Sequence, residues 1–317
     1  MPEGDTIHKQ AAQLRARLVG QKATAVFARG LEYRRLAGAV VTSAEAHGKH
    51  LFIDVGEARL HVHLGMYGRM SIQDPRLVTA SKAARASLAV VGEQAAALWW
   101  RAPTVEVLRA AFAHAHPALQ ALGPDVLSDG FDPAAAAARA RARPATTAVG
   151  ELLLDQRVAA GVGNVYKSEV LFLERLDPFA PISSLDDDAL SRLFARAGEL
   201  MRQNLGPWGR TTTADLTRGG FGPRGSARVH VYRRAGHPCR ACGAAILAAA
   251  QGQPPRKTYY CPRCQARAPA PRPEAGAPSR SGAVSAPRWP SSPPGNALPT
   301  PRPAGTPPRA RPRRRAR

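Results

Sequence analysis

The four cysteines form two Cys-x-x-Cys pairs, Cys239/Cys242 and Cys261/Cys264, with 18 residues between the pairs. Each pair puts two thiolates on one tight turn, and two such turns complete a tetrahedron. This spacing constrains the surrounding chain to a zinc ribbon. Two disulfides are the competing reading, but nothing else in the sequence points to an oxidising compartment. A four-cysteine site leaves no open position for water, so a single Zn2+ here is expected to be structural.

The rest of the chain is too long for a ribbon alone. At 317 residues it has room for two or three modest domains with their own cores. Its formal charge is +22. Residues 268–317 hold ten arginines against one glutamate, which leaves +13 for the body. A body this basic favours a polyanionic partner. There is no run of eighteen apolar residues and no charged-then-apolar leader before the first helical pattern. No membrane is expected as a partner, and the expected place is the cytoplasm, with the bacterial nucleoid.

Ile7, Ala11, Leu14 and Leu18 share one helical face, with Asp5 as the expected N-cap and Gly20 as the stop. Short β-type segments follow at Ala39–Ser43, Leu51–Val55, Ala58–Leu64, Ser87–Val91 and Ala96–Trp100. Strands this short and close together predict a sandwich or barrel over residues 1–104. From Val105 to Leu205 the composition is helical. Asp132-Pro133 opens an alanine-rich helix, Thr147–Asp155 forms another, and Val165–Leu173 follows a glycine break. A longer helix runs from about Asp186 to Asn204, begun by Ser183 or Ser184. Residues 206–228 are rich in Gly, Thr and Arg and predict a mobile linker, so the helical region closes at 228. The ribbon covers 229–267. Residues 268–317 are Pro, Ala, Ser and Arg and predict a disordered basic tail.

Several residue groups are suited to chemistry. Removal of Met1 would leave a free secondary amine on Pro2. An α-amino group has a pKa near ~8, against ~10.4 for lysine, so more of it is a nucleophile at neutral pH. Attack on a sugar aldehyde would give an iminium cation, an electron sink suited to β-elimination, and Glu3 stands beside it to move protons. Gly161-Val162-Gly163-Asn164 lies between two helices. Its glycines permit close backbone approach, and free N–H groups at the helix start would suit a phosphate, unless Asn164 is only an N-cap. Lys49, at a strand mouth, would meet a phosphate or sit in a solvated turn. Met66 and Tyr67, in a glycine-flanked turn, would wedge into a base stack or pack in the core. Arg256 leads into the second cysteine pair on a hairpin, where its guanidinium would grip a phosphate.

Together these residues resemble the formamidopyrimidine-DNA glycosylase and endonuclease VIII family. The resemblance runs in order through Pro2-Glu3-Gly4, Gly48-Lys49-His50, His63-Leu64-Gly65-Met66, Leu122-Gly123-Pro124-Asp125, Gly161-Val162-Gly163-Asn164-Val165-Tyr166 and Tyr260-Cys261-Pro262-Arg263-Cys264-Gln265. It implies an α+β fold: an N-terminal β-sandwich, a helix–two-turn–helix domain and a C-terminal zinc-ribbon hairpin. It implies a monomeric glycosylase and abasic-site lyase of base-excision repair, acting on double-stranded DNA with damaged bases or abasic sites. By resemblance Pro2 is the Schiff-base nucleophile and Glu3 the acid/base. Lys49 binds phosphate, Asn164 with Gly163 and Arg256 pinches the backbone, and Met66 with Tyr67 fills the space of the everted base. Where the formamidopyrimidine enzymes carry Asp-Pro-Arg-Arg-Phe-Gly, this chain reads Leu98-Trp99-Trp100-Arg101-Ala102-Pro103. That departure favours the endonuclease VIII branch, with its oxidised pyrimidines. A formamidopyrimidine or 8-oxoguanine type of enzyme, a catalytically weak damage binder and a zinc-ribbon RNA scaffold are the alternatives.

Overall fold

The computed structural model describes residues 1–111, 116–207, 209–213 and 228–266. The expected disorder of the tail lies outside the described residues, as does most of the expected mobile linker.

The chain opens with helix α1 (Gly4–Arg17), which buries Ile7, Ala11 and Leu14 as the periodicity predicts. Its N-cap is Glu3, not Asp5. Asp5 lies in the first turn and is buried. Ten further elements complete the first half: β1 (Ala23–Ala28), β2 (Leu31–Glu32), β3 (Val41–His47), β4 (His50–Val55), β5 (Ala58–His63), β6 (Arg69–Gln73), α2 (Ala80–Arg85), β7 (Leu88–Gly92), β8 (Ala96–Trp100) and β9 (Thr104–Arg109). Two antiparallel sheets result, in the orders β2-β1-β7-β8-β6 and β3-β4-β5-β9. Val26, Leu88 and Trp99 of one sheet share a core with Leu51, Leu60 and Val62 of the other and with α1. Truncating a leucine here, such as Leu14, carries a penalty of about 2–5 kcal/mol.

Three details correct the sequence reading. The strand expected at Ala39–Ser43 is displaced to Val41–His47. Strands β1 and β6 had no clear alternation and went unpredicted. The helical character expected from Val105 begins later, because Thr104–Arg109 pairs with β5 and closes the edge of the second sheet. Its pattern of β-branched Thr104, Val105 and Val107 fits a half-buried strand.

The second half is helical: α3 (Pro117–Gln120), α4 (Pro133–Arg141), α5 (Val149–Leu152), α6 (Asn164–Leu173) and α7 (Asp187–Arg202). Asp132 caps α4 through its side chain, as expected. The cap of α7 is Asp186, whose carboxylate accepts from the Ala189 N–H, while the Ser184 hydroxyl turns back to the Pro181 carbonyl. Leu190, Leu193, Phe194, Ala197, Leu200 and Met201 pack the inner face of α7 onto α4 and α6. A hairpin of β10 (Leu247–Gln251) and β11 (Arg256–Tyr260) follows.

Helix α6 joins these parts. Glu169 on it is fully buried, and its carboxylate accepts from the main-chain N–H groups of His230, Val231 and Tyr232 at 2.7–2.9 Å. Phe172 packs into a small core with Val231, Ile246, Cys239 and Cys261. Lys167 Nζ donates to Thr258 Oγ1 at 2.6 Å, and Gln265 Nε2 donates to the Leu176 carbonyl just past the helix.

Candidate active site

The chain start is held under α6. The Gly4 N–H donates to the Gly161 carbonyl at 3.0 Å. A Cβ at Gly4 would press on Met201 and on the Gly161 backbone. This seats Glu3, fully buried, against the first turn of α6. Its carboxylate accepts from Gly163 N at 3.1 Å, Val165 N at 2.8 Å and Tyr166 N at 3.3 Å. The positive end of the helix thus faces a negative charge. Of the N–H groups expected to be free for a phosphate, those of Gly163, Val165 and Tyr166 are therefore taken by Glu3. Gly163 is the N-cap, and Asn164 is the first residue of the helix. A side chain at residue 163 would overlap the Glu3 carboxyl group.

Arg210 secures the same corner. Its guanidinium grips both carboxylate oxygens of Asp5, through Nε at 2.9 Å and through Nη2. Nη1 reaches the Met1 carbonyl at 3.2 Å, and the guanidinium lies 5.0 Å from the Tyr166 ring centroid. Pro2 is thereby bracketed by two anchored neighbours. Arg210 falls in the segment expected to be a mobile linker; at this residue the chain is instead tied down.

Lys49 is set by the turn before β4. Gly48 adopts a φ of +57°, and a Cβ there would strike Ala160. Its N–H donates to Asp125 Oδ2 at 2.7 Å, and the same oxygen meets His8 Nε2 at 2.7 Å. Asp125, from the Leu122–Asp125 motif, therefore fixes the turn that aims Lys49. Burial lowers the Lys49 pKa to about 8, the nearby Glu3 carboxylate opposing it and Arg256 and Arg210 adding to it. Lys167 is lowered to about 8 in the same way, by burial against the pull of Glu3.

A cavity of about 630 Å³ gathers the predicted residues, with Pro2, Glu3, Lys49, Met66, Gly163, Asn164 and Arg256 in its wall. Asn164 Nδ2 donates to the Lys257 carbonyl at 2.8 Å, tying the helix start to the hairpin. Arg256 Nη1 lies 3.1 Å from Met66 Sδ across the opening. Tyr67 stands outside the wall and is 74% exposed. Gly65 packs on Pro103, so the Met66-Tyr67 turn and the Arg101–Pro103 turn are neighbours. The latter presents exposed Arg101 and no aromatic side chain.

Sequence reasoning gave no role to Asp125, Arg210, Lys167 or Glu169. Only Lys167 carried a signal, standing three residues after Asn164 on the same helical face.

The four thiols are free and lie together, with Cys239 Sγ 3.9 Å from Cys264 Sγ and Cys242 Sγ 3.4 Å from Cys261 Sγ. Zinc–sulfur bonds of about 2.3 Å in a tetrahedron place sulfurs about 3.8 Å apart, so the cluster fits a metal ion. Among the described residues, no helix is long and apolar enough to cross a membrane.

A buried N-terminal carboxylate under a helix start, a basic cleft and a four-cysteine hairpin define one architectural class. The formamidopyrimidine-DNA glycosylase N-terminal domain matches residues 1–99, and the formamidopyrimidine-DNA glycosylase H2TH domain matches residues 122–215. The chain belongs to the formamidopyrimidine-DNA glycosylase and endonuclease VIII family, on its endonuclease VIII-like side. It is 40% identical to the DNA-(apurinic or apyrimidinic site) lyase Nei2 of Mycolicibacterium smegmatis over 84% of this chain and 99% of that protein. It is 38% identical to a probable endonuclease 8 2 of Streptomyces coelicolor, over 86% and 96%. The fold matches a Lactococcus lactis formamidopyrimidine-DNA glycosylase solved with abasic-site DNA, with a TM-score of 0.67 at 21% identity, over 84% of this chain and all of that one.

Proposed function

We propose that this chain is a bifunctional DNA glycosylase and abasic-site lyase of base-excision repair, acting on oxidised bases, pyrimidines foremost, in double-stranded DNA. The observation that carries the reading is the corner itself: Pro2 held between anchored neighbours in the cleft wall, with the Glu3 carboxylate beneath it at the start of α6. The names of the relatives, abasic-site lyase and endonuclease 8, support it.

The residues then take these roles. With Met1 trimmed, the Pro2 amine attacks C1′ of a nucleotide everted into the cleft, since a stacked C1′ is out of reach. The bond from C1′ to the base breaks, and the base leaves with its electron pair and takes up a proton. Glu3 takes the proton that the Pro2 amine sheds on attack and passes it to the ring oxygen as the sugar opens and the iminium forms. That cation draws electrons as a proton leaves C2′, and the 3′ phosphate departs with its bonding pair. Lys49 holds the phosphate beside the lesion, and Asn164 and Arg256 hold those that flank it. Met66 and Tyr67 fill the gap in the stack.

Zn2+, one ion on the four cysteines, supplies rigidity to the hairpin that carries Arg256. The functional parts are the sandwich, the helical region, the ribbon from 229 and the basic tail. The protein acts as a monomer in the bacterial cytoplasm, on the chromosome.

The test is borohydride trapping on a duplex with an abasic site. A covalent adduct is expected, lost when Met1 is retained and much reduced in Pro2→Gly. An unreactive protein that still binds the duplex would show a damage binder instead. The 35% identity to a formamidopyrimidine-DNA glycosylase of Methylococcus capsulatus favours the purine-directed reading as second choice, and comparing excision of oxidised pyrimidine with 8-oxoguanine decides between them.

A further inference from the structure

The second sheet carries a cluster of histidines that the proposed chemistry does not use. His61 on β5 stands directly opposite Glu106 on β9, with Nδ1 and Oε2 2.6 Å apart. His116, at the start of α3, brings Nε2 to 3.2 Å from the same oxygen. The ligand atoms of all three residues lie within 4.8 Å of one another. A tetrahedral ion with bonds of about 2.0–2.1 Å needs its ligands about 3.3 Å apart, and every separation here lies within about 1.5 Å of that spacing.

The surroundings match those of a metal site. The other nitrogen of His61, Nε2, is 2.8 Å from His50 Nδ1, the kind of outer contact that fixes the ring and tautomer of a ligating imidazole. Phe52 stacks on His61 with ring centroids 5.0 Å apart. The His61 side chain is 2% exposed, whereas Glu106 is 39% and His116 19% exposed, so the cluster opens to solvent on one side. Two imidazoles and one carboxylate are a donor set for zinc and its divalent first-row neighbours, with one position left over.

We propose that His61 Nδ1, Glu106 Oε2 and His116 Nε2 form a second metal site, for a divalent first-row transition ion. Its place gives it a role. Two ligands belong to the sheet, and the third immediately precedes the first helix of the helical half, where its carbonyl accepts from Leu119 and Gln120 N–H. An ion here clips that helix to the sandwich, independently of the ribbon.

Cobalt titration of the full chain tests this, starting from protein with one zinc per chain. Wild type is expected to bind a further equivalent with weak visible bands and no near-ultraviolet thiolate charge-transfer band. Glu106→Gln and His116→Gln should each lose at least about tenfold in affinity for that equivalent, since even outer-shell changes lose that much. Both should keep the cysteine-bound zinc, which reports that they remain folded. Uptake of no further equivalent, uptake only with thiolate bands, or undiminished uptake by both variants would overturn the site. The last outcome would mean the bonded chain from His50 to His116 needs no ion.

Discussion

The Glu3 carboxyl group occupies the space that a side chain on Gly163 would need. Gly163 has a φ of −120°, which any residue adopts, so its identity is fixed by this contact and not by its backbone. Gly163→Ala should therefore displace Glu3 while leaving α6 intact. A misplacement of about 1 Å lowers rates by roughly 100-fold, and overpacking costs about 1–3 kcal/mol. Single-turnover cleavage of abasic duplex and urea unfolding read the two effects. An unchanged rate would remove Glu3 from the chemistry.

On the proposed role of Lys49, DNA binding should depend on pH. Burial lowers its pKa to about 8, so its charge is lost as pH rises through that value. A bound phosphate favours the cation and moves the loss upward. Affinity for a duplex with a stable abasic analogue should hold from pH 6 to near 8 and then fall, whereas Lys49→Arg should stay level to pH 9.5. Folding stability moves the other way. Between about 8 and the unfolded value of 10.5 the unfolded chain binds more protons, so burying Lys49 and Lys167 becomes less costly as pH rises. Lys167→Met should flatten part of that rise in denaturation midpoints.

Arg210→Met should destabilise the fold by about 3–5 kcal/mol, because it leaves the Asp5 carboxylate buried without its partner. Adding Asp5→Asn should recover part of the loss. A thermal-melt double-mutant cycle measures the coupling, and additive effects would show that the pair is not a unit.

These contacts mark where the sequence stopped being informative. The core face of α1, the extent of α7, the hairpin and the cysteine cluster were all legible, because each is written in local spacing. The residues of the corner were recognisable too, as short motifs in order. Their support was not: Arg210 and Asp5 are 205 positions apart, and Asp125 reaches Gly48 across 77. No periodicity records such pairings. Strand β9 was missed because its buried alternation is completed by β5, and Asp5 was misread as a cap because its real partner is remote. The occupancy of the α6 start was hidden likewise, since the sequence shows donors but not that Glu3 arrives to take those of Gly163, Val165 and Tyr166.

Stripping the metal should release the hairpin before the sandwich. Cys261→Ser, or a zinc chelator, should lower duplex affinity by freeing Arg256, while the sandwich core around Trp99 stays folded. Metal content, binding and tryptophan emission follow the three steps. Freshly purified, reduced protein without zinc would refute the assignment.

The tail should raise affinity without touching chemistry. Each phosphate it neutralises steepens the fall of log affinity with log salt by ~0.9 on duplex DNA. Truncation after Arg267 should give a shallower slope and the same single-turnover rate at saturation. Equal slopes would mark the tail as inert.

The grip of Arg210 on the Met1 carbonyl sets an order of events during synthesis. On the proposed role of Pro2, the residue to be trimmed is the one whose carbonyl the finished fold holds. Arg210 leaves the ribosome long after residue 2, on the order of 10 s or more at about 5–20 residues per second. Within that interval the N-terminus is bare and open to an aminopeptidase; afterwards Met1 remains exposed at the cleft wall, but its carbonyl is held by Arg210. On the proposed role of Pro2, trimming is easiest before Arg210 arrives, and slow trimming should leave a fraction of folded chains with the amine blocked.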